Sequence, residues 1–154
     1  MIGDEFDVAR RRLLAVDLFN HVWTLLRRDV RTVEQDDEMI HAAHASRHHW
    51  AEVGTAVNLA RGEWQCSRVY ATLGRAEPAL HHARRCLELC EANAADLEEF
   101  DLPFAYEALA RAHAVAADRD EAERWATLGR EAAAAIRDED DRELVLDDLA
   151  TIPR

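Results

Sequence analysis

Apolar residues recur every three or four positions through most of the 154-residue chain, the spacing of one face of an α-helix. No stretch shows the strict alternation of apolar and polar residues that is typical of a half-buried strand. Glycines, prolines and helix-capping signatures divide the pattern into segments. We therefore predict seven helices, at about 7–28, 32–54, 56–73, 78–95, 101–116, 118–137 and 142–150.

Local signals mark several of the predicted helix ends. Thr32 with Gln35, and Asp118 with Glu121, have the spacing of capping signatures, in which a side-chain oxygen accepts from an amide of the first helical turn. Gly54 is expected to end the second helix, because glycine adopts positive φ without strain. Long helices joined by short turns predict antiparallel hairpins that stack in sequence order.

Length and composition change this picture little but exclude several classes of protein. The chain is long enough for one domain with its own core, without help from a metal or a disulfide. Its net charge of −12 argues against nucleic acid as a partner, since phosphate binding needs a surplus of cations. The absence of lysine among the 19 cationic residues, with abundant alanine, is typical of a GC-rich bacterial genome.

The cysteines, the N-terminus and the apolar runs of the chain predict its cellular location. Its three cysteines form an odd set with no paired framework, which suits a reducing cytoplasm. The acidic N-terminus lacks the basic start and apolar core of a secretory signal. No apolar run approaches the ~18 residues that a membrane span requires. We expect a cytoplasmic protein that binds no membrane.

Two segments, about 60–93 and 103–136, repeat one spacing of large and small side chains. Their alignment pairs Tyr70 with His113, Gly74 with Ala117, Ala79 with Ala122, and Cys86 with Gly129. Small residues recur where two helices approach closely, and a bulky ring recurs where a helix fills the neighbouring groove. The pattern resembles the tetratricopeptide repeat (TPR), a helix–turn–helix unit.

The resemblance implies an all-α fold, a TPR-like right-handed superhelical array of about seven helices in antiparallel hairpins. Residues 1–154 would form a single domain with an N-terminal hairpin at 5–53 and a capping helix at 140–150. TPR-like arrays are scaffolds that bind a protein or peptide. The resemblance therefore implies a non-enzymatic binding module, and we expect a second copy to cover the exposed end in a homodimer.

In the TPR family the first helix of each unit lines a concave face. Carried over to this chain, the lining residues are Arg61, Trp64, Arg68, Phe104, Glu107 and Arg111. Guanidinium groups offer bidentate contacts to carboxylates, so this face predicts an acidic peptide as the ligand. The alternative is that the arginines pair with carboxylates of the protein itself, Glu107 among them.

A histidine-rich stripe on the second helix indicates a different function. His41, His44 and His48 fall on one face, opposite the apolar face of the helix. Imidazoles bind metals or carry protons, so the alternatives are a small-molecule or metal-binding helical protein and an enzyme that uses the same stripe for catalysis. One ion would need further ligands from another helix, for which the candidates are His21, Glu63 and His113. No phosphate-binding, dinucleotide-binding or hydrolase motif accompanies the stripe. A further interpretation stays open, namely that these histidines form an ordinary solvent-exposed face of the helix.

A second stripe places His82, Cys86 and Cys90 at successive helical turns. Imidazole and thiolate suit Zn²⁺ or Cu⁺. However, Cys86 takes the small-residue position of the repeat, which favours a buried thiol with a packing role.

Overall fold

The computed structural model describes residues 5–154, with side chains from residue 7 onward. Over this range the chain is all-α, as predicted: it forms seven α-helices and one short 3₁₀ helix and has no strand. The helices are α1 (Glu5–Leu26), α2 (Val33–Val53), α3 (Ala56–Thr72), α4 (Ala76–Ala92), α5 (Asp101–Val115), α6 (Arg119–Ala134) and α7 (Glu139–Ala150), with the 3₁₀ turn at Ala94–Asp96.

The helices pack as three consecutive hairpins, α1 with α2, α3 with α4, and α5 with α6. Each hairpin contacts the next through α2 against α3 and α4 against α5, so neighbours in sequence are neighbours in space. The last helix, α7, lies against both α5 and α6. None of the described helices combines the length and the apolar character that crossing a bilayer demands.

Capping decides where α2 begins and ends. The Thr32 hydroxyl accepts from the Gln35 amide at 3.2 Å, and the Gln35 side chain accepts from the Thr32 amide at 3.0 Å, as predicted. Gly54 does end the helix, but the positive φ expected there is wrong, since its φ is −100°. A Cβ at this position would lie 2.8 Å from the Trp50 ring, so close packing, not backbone conformation, requires the glycine.

Most other boundaries differ from the prediction by one to three residues, and two helix starts among them have a local explanation. The fourth helix begins at Ala76, two residues before the predicted start at Pro78. Proline is still tolerated there, because amides of the first turn have no partner within a helix. The last helix begins at Glu139, where the Asp138 side chain accepts from the Asp141 amide at 2.9 Å.

The turns of the second and third hairpins share one geometry. Gly74 and Ala117, which the sequence alignment pairs, both have left-handed backbones, with φ of 73° and 60°. In each turn the next amide donates to a carbonyl five residues back, that of Tyr70 (2.9 Å) or of His113 (3.0 Å). The aligned positions are therefore structurally equivalent, since each lies in the same kind of turn where the first helix of its hairpin ends.

The core between the hairpins contains many small side chains. Ala79, Ala83 and Ala112 are fully buried where the second and third hairpins meet. A Cβ on Gly129 would lie 3.1 Å from the Leu149 side chain, so α6 and α7 approach closely at this glycine. Small residues thus let the backbones come near one another, and Trp64, Tyr70 and Trp125 pack around the edge of this alanine-rich cluster.

Candidate functional site

An open groove of about 550 Å³ is one of several depressions on the described chain. Its lining comes from α1, α3, α4, α5 and α7 and from single residues next to the ends of α1, α5 and α7. Five of the 15 lining residues are aromatic, namely three of the chain's four phenylalanines and two of its four tryptophans. They are Phe19, Trp23, Trp64, Phe100 and Phe104.

Trp64 of α3 is the central ring of this aromatic groove. Its centroid lies 5.5 Å from that of Trp23 on α1 and 5.4 Å from that of Phe104 on α5. Phe104 in turn lies 6.3 Å from Phe100, edge to face. These spacings are those of favourable aromatic pairs. Four rings from three parts of the chain therefore form a continuous apolar surface.

An ion pair flanks the rings at one end of the groove. Arg61 donates from Nε and Nη2 to the two carboxylate oxygens of Asp101, at 2.9 and 3.0 Å. The hydrogen bond to Asp101 raises the pKa of Arg61, although burial acts in the opposite direction. The same guanidinium lies 5.2 Å from the ring centre of Phe100. Arg61 therefore forms an ion pair with Asp101 and a cation–π contact with Phe100.

A fully buried carboxylate, Glu107, lies behind the rings. It accepts from the indole N–H of Trp64 at 3.0 Å and from Arg111 Nε at 2.6 Å. Arg68 Nη1 is 3.4 Å away. Burial raises the pKa of Glu107, and the two guanidiniums oppose that shift. The bond to Glu107 fixes the orientation of the Trp64 ring.

The C-terminal part of α7 is attached to the same arginines. Arg68 Nη1 donates to the Asp148 carboxylate at 2.9 and 3.0 Å. Arg111 Nη2 donates to the Asp148 carbonyl at 2.9 Å and to the Thr151 hydroxyl at 2.7 Å. These bonds hold α7 against α3 and α5, so that it supplies one wall of the groove.

Of the six residues predicted to line a concave face, three do so in the structure: Arg61, Trp64 and Phe104. Arg68, Glu107 and Arg111 lie behind that lining in the ion network. Each of the three predicted arginines has a carboxylate partner within the chain, which is the alternative that the sequence left open.

The first and last helices contribute groove residues that sequence reasoning missed. Trp23 lies in the first predicted helix, where the helical spacing of apolar residues predicts a core position. Leu144 lies in the helix at 140–150, which was expected only to cap the array. No local signal placed either residue beside Trp64, because helices far apart in sequence bring them together.

The three histidines of the predicted metal site do not converge. His41 is exposed, the His44 ring is 2.9 Å from the Tyr70 hydroxyl, and His48 lies beside its neighbour His49. Within residues 5–154 no group of three or more histidine, cysteine or acidic side chains is arranged to hold a metal ion. The helix spacing is correct, but His41 and His48 are two helical turns apart, which spreads these rings too far for one ion.

The candidate additional ligands have other partners. His21 lies 3.0 Å from Glu38, and His113 lies 3.6 Å from Asp118. Glu63 is 2.5 Å from His82 Nδ1 and accepts from Arg47 at 3.0 Å. Burial acts to raise the pKa of Glu63, but the hydrogen bonds and charges of these partners outweigh it and lower the pKa.

Two of the three cysteines also line the aromatic groove. Cys86 and Cys90 are 2% and 1% exposed, and both sulfur-bearing side chains belong to the groove lining. They lie one helical turn apart on α4, and their interaction raises the pKa of Cys86 and lowers that of Cys90. Cys66 lies elsewhere, in the core between α1, α2 and α3, where burial raises its pKa to about 12.

The fold and this site together define a protein of stacked helical hairpins with one aromatic groove. Comparison of the chain with protein-family models, with curated proteins and with solved structures finds no match. The function must therefore be argued from the groove itself.

Proposed function

We propose that this protein is a non-enzymatic binding module of TPR-like architecture. Its aromatic groove binds a segment of a protein partner that carries apolar and aromatic side chains. The observation that carries the proposal is the convergence of five aromatic side chains from α1, α3 and the α5 region on one open groove of about 550 Å³. Grooves of this size that combine apolar walls with a few polar groups are typical ligand sites.

The charges around the groove favour an apolar segment over an acidic one. The cations predicted to recognise an acidic peptide are already neutralised, Arg61 by Asp101 and Arg68 by Asp148. An acidic ligand would have to displace these carboxylates, which are held within the same molecule. Ring packing meets no such competition, so we assign most of the binding energy to Trp64 and its neighbours.

The remaining parts of the proposal concern the setting of the protein. Its three cysteines are free thiols, which is consistent with a cytoplasmic location. Leu13, Leu14 and Val16 of α1 are 64%, 41% and 38% exposed. We propose that a second copy covers this apolar face in a homodimer.

Peptide selection with a matched pair of variants tests the groove. Leu144 lines the groove and is 59% exposed, whereas Leu146 on the same helix is 37% exposed and faces a different depression. Peptides selected from a random display library should share a large apolar anchor residue. Leu144→Glu should weaken their binding about tenfold in fluorescence polarisation, since ~1.4 kcal/mol corresponds to that factor. Leu146→Glu should leave binding unchanged.

These two positions are preferable to Arg68 as probes. Reversing the charge of Arg68 would place a third carboxylate between Glu107 and Asp148 and would disturb α7 as well as binding. The proposal is wrong if no peptide is enriched, or if the two glutamate variants lose affinity equally. A groove that binds small aromatic compounds but no peptide would assign it to a small-molecule ligand.

A further inference from the structure

Cys86 and Cys90 line the groove beside Trp64, the central ring of the proposed peptide-binding surface. Both lie on α4, one helical turn apart, in the cluster that also contains Ala60 and Ala105 and that Trp64 covers. Their side chains are nearly inaccessible except where they border the groove. A neutral or soft reagent that enters the groove therefore reaches two adjacent thiols.

Helix geometry disfavours a disulfide between these two residues. Side chains four residues apart on a helix have Cβ atoms about 5–6 Å apart, whereas a disulfide requires about 3.5–4.5 Å. Direct oxidation would distort α4, but a single atom inserted between the sulfurs spans the larger gap. The pair thus suits a bridging ion better than an S–S bond.

We propose that Cys86 and Cys90 form a two-thiolate site for a soft monovalent cation, Cu⁺. In the binding step both S–H bonds break, two Cu–S bonds form, and two protons leave to solvent. The oxidation state of copper and sulfur does not change. The product is a bis-thiolate complex with one net negative charge.

The surroundings of the two sulfurs select this ion over zinc. A structural zinc site takes four ligands, and no third donor is free beside the pair. The Asp101 carboxylate is held by Arg61 on both oxygens, and His82 is bonded through Nδ1 to Glu63. Thiolates favour Cu⁺, and Cu⁺ is stable with only two ligands.

Because two protons are released, binding should tighten as the pH rises.

Anaerobic titration of the reduced full-length protein with Cu⁺, in competition with a chromophoric Cu⁺ chelator, tests the site. We expect the wild type to withdraw a single copper ion per chain from the chelator. Cys86→Ser and Cys90→Ser should each weaken binding by at least about tenfold. Cys66→Ser, which removes the thiol outside the groove, is the matched control and should bind copper as the wild type does.

A second measurement needs no variant. Cu⁺ should protect Cys86 and Cys90, but not Cys66, from alkylation, as located by mass spectrometry of the digested wild type. Phenylarsine oxide bridges two thiols with loss of water. One molecule of it should bind per chain, through Cys86 and Cys90. The proposal is overturned if copper fails to protect the two residues, or if Zn²⁺ competes equally for them. It is also overturned if loss of Cys66 weakens copper binding as much as loss of Cys86. None of these outcomes depends on peptide binding.

Discussion

Ala117 has a left-handed backbone, with φ of 60°, in the turn between α5 and α6. A Cβ makes this conformation unfavourable, and the aligned position in the preceding hairpin is Gly74. We expect Ala117→Gly to raise the free energy of unfolding by up to about 1 kcal/mol, because it removes that strain. The measurement is urea denaturation followed by circular dichroism.

The control for this prediction is the neighbouring residue. Ala116 has φ of −75°, where glycine relieves nothing and loses more backbone entropy on folding. Ala116→Gly should therefore be neutral or destabilising. Equal stabilities for the two glycine variants would contradict the assignment of strain to Ala117.

His44 gives the stability of the fold a dependence on pH. Burial and the positive charge of nearby His82 lower the pKa of His44 in the folded state. As the pH falls through the unfolded value of about 6.5, the unfolded chain therefore binds a proton that the folded chain does not. The free energy of unfolding should decrease over that interval, down to the folded pKa.

His44→Gln removes this contribution, so the loss of stability between about pH 7.5 and pH 5.5 should be smaller than in the wild type. His41→Gln, an exposed change on the same helix, should reduce the loss far less, because the charge of His41 lowers the pKa of His44 less than burial and His82 do. Denaturant midpoints measured across this range check the prediction. A wild-type pH profile in the His44 variant would show that other groups cause the effect.

At the scale of one element, α7 depends on a small number of contacts. Val145 and Leu149 bury its apolar side, and Asp148 pairs with Arg68 at 17% and 16% side-chain exposure. Asp148→Asn weakens that charged contact and leaves Arg68 with less compensation. We expect the variant to lose about 1–3 kcal/mol of stability.

The adjacent Asp147 provides the comparison, since it is exposed and also lines the groove. Asp147→Asn should leave stability within about 0.5 kcal/mol of the wild type. Hydrogen exchange should show faster opening of α7 amides in Asp148→Asn only. Equal exchange in the two variants would mean that apolar packing alone holds the helix.

Helix positions were predictable because their signals are local. The Thr32 capping box and the break at Gly74 act within a few residues, and the structure has both. The errors are local too. Gly54 was assigned positive φ when a contact with the Trp50 ring is what requires it, and the start of α7 depends on an Asp138 cap that the acidic run concealed.

For the molecule as a whole, the sequence by itself determined an all-α chain and the register of its two most similar hairpins. Helical spacing of apolar residues, capping residues and turn residues act over short distances along the chain, so they can be recognised without tertiary information. The resemblance to the tetratricopeptide repeat also implied that Trp64, Arg61 and Phe104 belong to one surface, because the first helix of each unit lines the concave face in that family.

Only the tertiary structure decided what that surface is. Asp148 lies 80 residues after Arg68 in the chain. Because the two side chains pair in the folded protein, Arg68 forms an internal ion pair and not the anion-binding contact that was expected of it. Trp23 and Leu144 enter the groove from opposite ends of the chain. Side chains on one helix keep a fixed spacing, which is why His41, His44 and His48 were found together in sequence but not in space. Contacts between distant helices depend on how the hairpins pack, and no local pattern encodes them.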